Sequence, residues 1–235
     1  MKETKPYNIS KWKVKEAYEK VKANKGTYGV DEQSMEDFEK NLNNNLYKIW
    51  NRMSSGSYFP KPVKAVAIPK KNGGTRILGI PTVEDRIAQM VAKMYFEPCV
   101  EPIFYDDSYG YRPNKSAIQA LEITRERCWR KDWVFEFDIK GLFDNIRHDY
   151  LIEMVKHHTE EKWLIMYIKR WLVAPFQMED GTMVTRTSGT PQGGVISPVL
   201  SNLFLHYVFD DFMTKEFPTI PWARYADDGI AHCVS

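Results

Sequence analysis

Three aspartates carry the chemistry that this sequence is able to do. Asp227 and Asp228 stand side by side in WARYADDGIAHCVS, residues 222–235, and Asp138 closes the β-rich run WVFEFD. Neighbouring residues of a strand point to opposite faces, so one member of the pair is directed inward. A buried carboxylate is costly unless it finds a cation or a donor. Taken singly, each aspartate reads as a turn former, and Asp-Gly is a good turn dipeptide. If the two elements are neighbours in one sheet, the three carboxylates converge at a sheet edge. Like charges that close raise each other's pKa unless divalent cations bind between them. An all-oxygen donor set suits Mg²⁺, which keeps waters and recruits substrate phosphates. A pair of such ions is the arrangement for in-line phosphoryl transfer.

The elements that must position these residues are legible from patterning. Residues 11–24 form a modest amphipathic helix through Trp12, Ala17, Tyr18 and Val21, and apolar residues from Met35 to Met53 recur at three- and four-residue steps. Asn72-Gly73-Gly74 lies between two β-rich runs, a hairpin signal because such turns need positive φ. A helix capped by Thr82 and another capped by Ser116 follow. WVFEFD reads as a buried strand, two helices cover 148–173, and a hairpin turns at Asp180-Gly181. TPQGGVISPVLSNLFL is a loop feeding an apolar helix, and the last hairpin is expected to reverse at Asp228-Gly229. The pattern is α+β, helices first and then strands mixed with helices around a sheet.

Bulk properties narrow the function classes. The 235 residues suffice for one large domain or two small ones, with 43% hydrophobic residues for a core. No apolar run approaches the roughly 18 residues of a membrane span, and the first fifteen residues lack a secretory h-region. Three scattered cysteines fit a reducing compartment better than a disulfide scaffold or zinc site. The net charge of +2 hides an asymmetry: residues 1–80 carry 16 Lys/Arg and 8 Asp/Glu, leaving the remainder acidic. A basic part joined to an acidic part suits one region that holds a polyanion and another that gathers metal ions. His157, His158 and His232 have no ligand-spaced partners and read as structural or solvent-exposed.

YADD in a hairpin, with FDIKGLFDNI upstream and TSGTPQGGVISPVLSNLFL between them, resembles the palm of a reverse transcriptase. The stretches YKIWNRMSSGSYFPKPVKAV, GGTRILGIPTVEDRIAQ and GYRPNKSAIQAL are similar to those of bacterial group II intron-encoded proteins, and the resemblance covers nearly the whole chain. It implies right-hand polymerase fingers and palm, an antiparallel palm sheet backed by helices. On that pattern 1–60 is a basic helical extension, 61–130 the fingers and 131–235 the palm, ending before a thumb. A piece so bounded is expected to fold and bind RNA but to polymerise poorly alone.

The resemblance also implies the site. Asp138 and Asp227 match the carboxylates that hold two magnesium ions, the backbone carbonyl of Ile139 matches a further metal ligand, and Asp228 matches the third acidic position. Phe143 matches the aromatic that excludes a 2′-hydroxyl, Lys70 and Arg76 the cations that grip the incoming triphosphate, and Gln192 the contact to nucleotide or template base. Lys11, Lys13, Lys15, Lys20, Lys22 and Lys25 are expected to hold RNA phosphates, with Tyr18 and Tyr28 stacking on bases. The implied partners are group II intron RNA, an RNA template with a DNA primer, and dNTPs, with no membrane and room for a homodimer. The implied location is the bacterial cytoplasm, at target DNA in the nucleoid. Two other readings stand beside this one: a splicing cofactor whose polymerase site is secondary, and a retron or diversity-generating reverse transcriptase.

Overall fold

The computed structural model describes residues 5–69 and 73–234. At its centre lies α4 (Val83–Val100), started by Thr82, whose hydroxyl accepts from the Asp85 amide at 3.1 Å. Every residue from Ile87 to Ala92 is buried, so the middle of this helix turns no face to water, while Pro98 and Cys99 near its end are exposed. Its neighbours are α1 (Lys11–Ala23), α3 (Leu42–Ser55), α8 (Lys162–Val173) and α9 (Ser197–Leu205), which join it in one apolar core.

The long apolar pattern from Met35 to Met53 is two helices, α2 (Met35–Glu39) and α3. The break falls at Lys40-Asn41, where Asn45 Nδ2 donates to the Phe38 carbonyl at 2.8 Å. Asparagine side chains compete in this way with the helix's own hydrogen bonds. On α1 the apolar face is Val14, Ala17, Tyr18 and Val21, while Trp12 is turned to solvent.

Two sheets flank the helices. The first has the order β2 (Thr75–Ile80), β1 (Val63–Pro69), β4 (Phe176–Gln177), β5 (Met183–Val184); β1 and β4 run parallel and the other pairs antiparallel. The β1–β2 turn carries Gly73 and Gly74 at φ 81° and 86°, as the hairpin signal requires. The second sheet is antiparallel, β3 (Trp133–Asp138), β7 (Asp228–Cys233), β6 (Trp222–Tyr225), with α5 (Ala117–Cys128) against β6 and β7. Between β3 and β6 the chain runs through α6 (Leu142–Asn145), α7 (His148–His158), α8, the β4–β5 hairpin and α9. A π-helical turn at His206–Asp210 then leads into α10 (Asp211–Glu216). The sequence reading of β3 as buried does not hold. It is an edge strand with Trp133 and Phe135 66% and 63% exposed. A short apolar run does not distinguish an edge from a centre. Among the described residues no helix is long and apolar enough to cross a membrane.

Candidate active site

Register brings the aspartates together. β3 pairs with β7 so that Asp138 lies opposite Asp228, and cross-strand partners share one face of a sheet. Asp227 sits at the hairpin tip beside them, its backbone oxygen accepting from the Ile139 amide at 3.0 Å. The reversal falls at Ala226-Asp227, with Tyr225 opposite Asp228, and not at Asp228-Gly229. Ala226 supplies the positive φ, 58°. Gly229 instead lies inside β7 under the Phe137 ring, where a Cβ would stand 2.1 Å from the ring.

The electrostatics of this corner are one-sided. Burial raises the Asp228 carboxyl above its ordinary value, and Asp227, Asp138 and Glu136 push it further the same way. Its donors are oxygens only, which suits a hard divalent cation. The Ile139 carbonyl accepts a 3.3 Å bond from the Leu142 amide. Among the described residues no three His, Cys, Asp or Glu side chains are grouped to hold an ion by themselves. The paired Asp138 and Asp228 offer carboxylate oxygens, the donor type a hard divalent cation takes.

Further segments that carry expected site residues are linked to one another. The loop before α9 docks on the first sheet: the Gln192 carbonyl accepts from the Gly79 amide of β2 at 2.6 Å. Gly193, at φ 105°, approaches so closely that a Cβ would lie 2.3 Å from the Gly79 oxygen. The same loop is tied to Phe143, whose carbonyl accepts from the Thr190 amide at 2.6 Å. Phe143 is half-buried and meets Tyr111 edge to face, ring centroids 6.4 Å apart. Burial raises the Tyr111 phenol, Asp227 and Asp228 raise it too, and Arg76 opposes them. Arg76 lies in the exposed first half of β2, and its charge opposes the aspartates at the Tyr111 phenol. Lys70 lies outside the described residues.

All six N-terminal lysines are on the surface of α1 or just past it. Lys13 and Lys20 pair with Glu16, and Lys22 with Glu39 at 2.7 Å. Tyr18 is buried and donates to Glu39 at 2.5 Å, so it presents no face for a base; Tyr28 is 40% exposed. Sequence reasoning missed Tyr111, Arg224 and Asp210. The adjacent Asp210-Asp211 at the end of an apolar helix was the signal that a buried cation would be needed.

Residues 68–235 match the family model described as reverse transcriptase (RNA-dependent DNA polymerase). The chain belongs to that family. Within it, the chain is 36% identical over 193 residues to the group II intron-encoded protein LtrA of Lactococcus lactis subsp. cremoris, a match over 81% of this chain and 32% of that protein. It is 34% identical to protein YkfC of Escherichia coli, over 81% of this chain and 51% of YkfC. The chain thus spans about a third to a half of the length of these relatives. Among solved structures, a partial Cas6-RT-Cas1–Cas2 complex shares the fold at a TM-score of 0.57 and 24% identity, over 97% of this chain and 37% of that one.

Proposed function

We propose that this chain is the fingers and palm of an RNA-directed DNA polymerase of the group II intron type, which copies RNA into DNA from a primer and binds intron RNA to assist its splicing. The observation that carries the reading is the pairing of Asp138 with Asp228 across β3 and β7, with Asp227 at the adjoining turn. Asp138, Asp227 and the Ile139 carbonyl would hold two magnesium ions, with Asp228 the more peripheral carboxylate. Bound there, the ions supply positive charge that lowers the pKa of the primer 3′-hydroxyl and offsets the charge of the departing pyrophosphate.

The protein's own groups do the rest. Arg76 takes the triphosphate with its planar fork, and Lys70 adds a point charge. The Phe143 ring lies under the sugar and leaves no room for a 2′-hydroxyl. Gln192, fixed on β2 through its backbone, contacts the nucleotide or template base. The lysines of α1 hold RNA phosphates. On this reading 1–60 extends the fingers, 61–130 forms them and 131–235 is palm. Replacing Asp227→Ala in the complete protein is expected to abolish cDNA synthesis while intron RNA binding persists. Primer extension that survives this substitution would overturn the reading.

A further inference from the structure

Arg224 is fully buried, a costly place for a guanidinium unless every N–H is met. All five are met. Nε and Nη2 donate to the two oxygens of Asp210 at 2.7 and 2.6 Å, a bidentate pair in which neither partner is exposed. Nη2 also donates to Ser108 Oγ at 2.8 Å, and Nη1 to Asn202 Oδ1 at 3.2 Å. The fifth bond goes from Nη1 to the carbonyl of Ala226 at 2.9 Å. Four acceptors therefore fix the guanidinium, and through it the fixed fork reaches the one residue of the catalytic turn that stands in left-handed backbone.

The neighbours tighten the same point. Asn202 Nδ2 donates to the Gly110 carbonyl at 2.7 Å, and Gly110 packs so closely on the turn that a Cβ there would lie 2.3 Å from the Ala226 nitrogen. Asp210 belongs to the π-helical turn between α9 and α10. Such insertions rotate the residues that follow and recur at functional sites. A left-handed alanine is strained, and strain of this kind persists only where surroundings over-determine it.

We infer that Arg224 is a positioning residue for the polymerase site: its bond to the Ala226 carbonyl holds the turn in left-handed backbone and so aims Asp227 at Asp138. This rests on the reading of Asp227 as a catalytic carboxylate. The inference predicts a specific rescue. Glycine adopts positive φ without steric cost, so Ala226→Gly makes the pin less necessary.

The test uses the complete protein with Arg224→Gln combined with Asp210→Asn, which removes both charges together and strands neither. Arg224→Lys serves as a second probe that keeps the charge and loses the fork. The double variant is expected to lower kcat for primer extension about 100-fold, the scale of an ångström's misplacement, with nucleotide KM changed less than about 3-fold. Independently of activity, Mn²⁺ binding followed by electron paramagnetic resonance without nucleotide should weaken about 10-fold. Amide exchange should quicken at Ile139, which donates to Asp227, and stay unchanged in α4. Adding Ala226→Gly should return at least about 10-fold of the lost kcat, as expected if the loss is one of backbone aim. Unchanged kcat, Mn²⁺ affinity and Ile139 exchange in the double variant, while Asp227→Ala is inactive, would overturn the inference and spare the polymerase reading. So would a loss that Ala226→Gly leaves uncorrected, with exchange raised throughout α4. Full activity in Asp227→Ala would instead remove the polymerase reading on which it stands.

Discussion

Phe143 and Tyr111 meet edge to face beside Asp227, and Phe143 is the ring proposed to exclude a 2′-hydroxyl. Phe143→Ala is therefore expected to raise the efficiency of ribonucleotide relative to deoxynucleotide incorporation by about 10- to 100-fold, the scale of pocket-volume discrimination. Competitive primer extension with paired nucleotides reads that ratio, and an unchanged ratio would return Phe143 to plain packing. The buried pair Asp210–Arg224 makes a prediction of its own. Asp210→Ala leaves a guanidinium enclosed without its carboxylate, which costs about 3–5 kcal/mol in urea unfolding. At this scale the aspartates were legible, because carboxylates are rare in β-rich runs. Arg224 was not, because its partner lies fourteen residues upstream and is aimed by a π-helical turn that no spacing rule anticipates.

Asp85 joins three elements. It belongs to α4, it accepts from Tyr58 and from the Lys61 amide at 3.1 Å ahead of β1, and it accepts from Trp171 Nε1 of α8 at 3.3 Å. Burial raises its carboxyl to about 6 against an ordinary 3.8, while these hydrogen bonds pull it down. The folded state therefore holds this proton more tightly than the unfolded chain. Its contribution is complete below about pH 4 and declines as pH rises to about 6, by about 3 kcal/mol. Urea unfolding across pH 4–7 should show that decline, and Asp85→Asn should flatten it; identical slopes would refute the assignment. Among the elements, caps and hairpins were readable because each has its own residue chemistry, as with Thr82, Ser116 and Gly73-Gly74. Burial of β3 was misjudged, and so was the reversal of the last hairpin. Both depend on which strand lies alongside, which local pattern does not carry. Ala226 in particular is a poor turn former that is left-handed only because its surroundings hold it.

For the whole molecule, the charge asymmetry is one of sequence, and the structure sorts the basic side chains of its first part by their partners. Lys13, Lys20 and Lys22 have carboxylate partners, whereas Lys11, Lys15 and Lys25 have no ion pair among the described residues. If α1 holds single-stranded RNA phosphates, substituting Lys15→Ala or Lys25→Ala lowers the slope of log affinity against log salt by about 0.7 each. Lys22→Ala should change it less. Filter binding at several salt concentrations measures this, and equal slopes for all variants would place the RNA elsewhere.

The packing of α4 between helices from both ends of the chain also fixes an order of events in time. Its partners α1 and α3 precede it in the chain, while α8 and α9 lie far behind it. On the ribosome the helix emerges with α1 and α3 already made but with the part of its covering that α8 and α9 supply still to come from residues 162–205. Contacts so distant in sequence form late, and exposed apolar surface in the interval invites aggregation. A nascent chain halted before α8 is therefore expected to hold chaperones longer than the completed chain does.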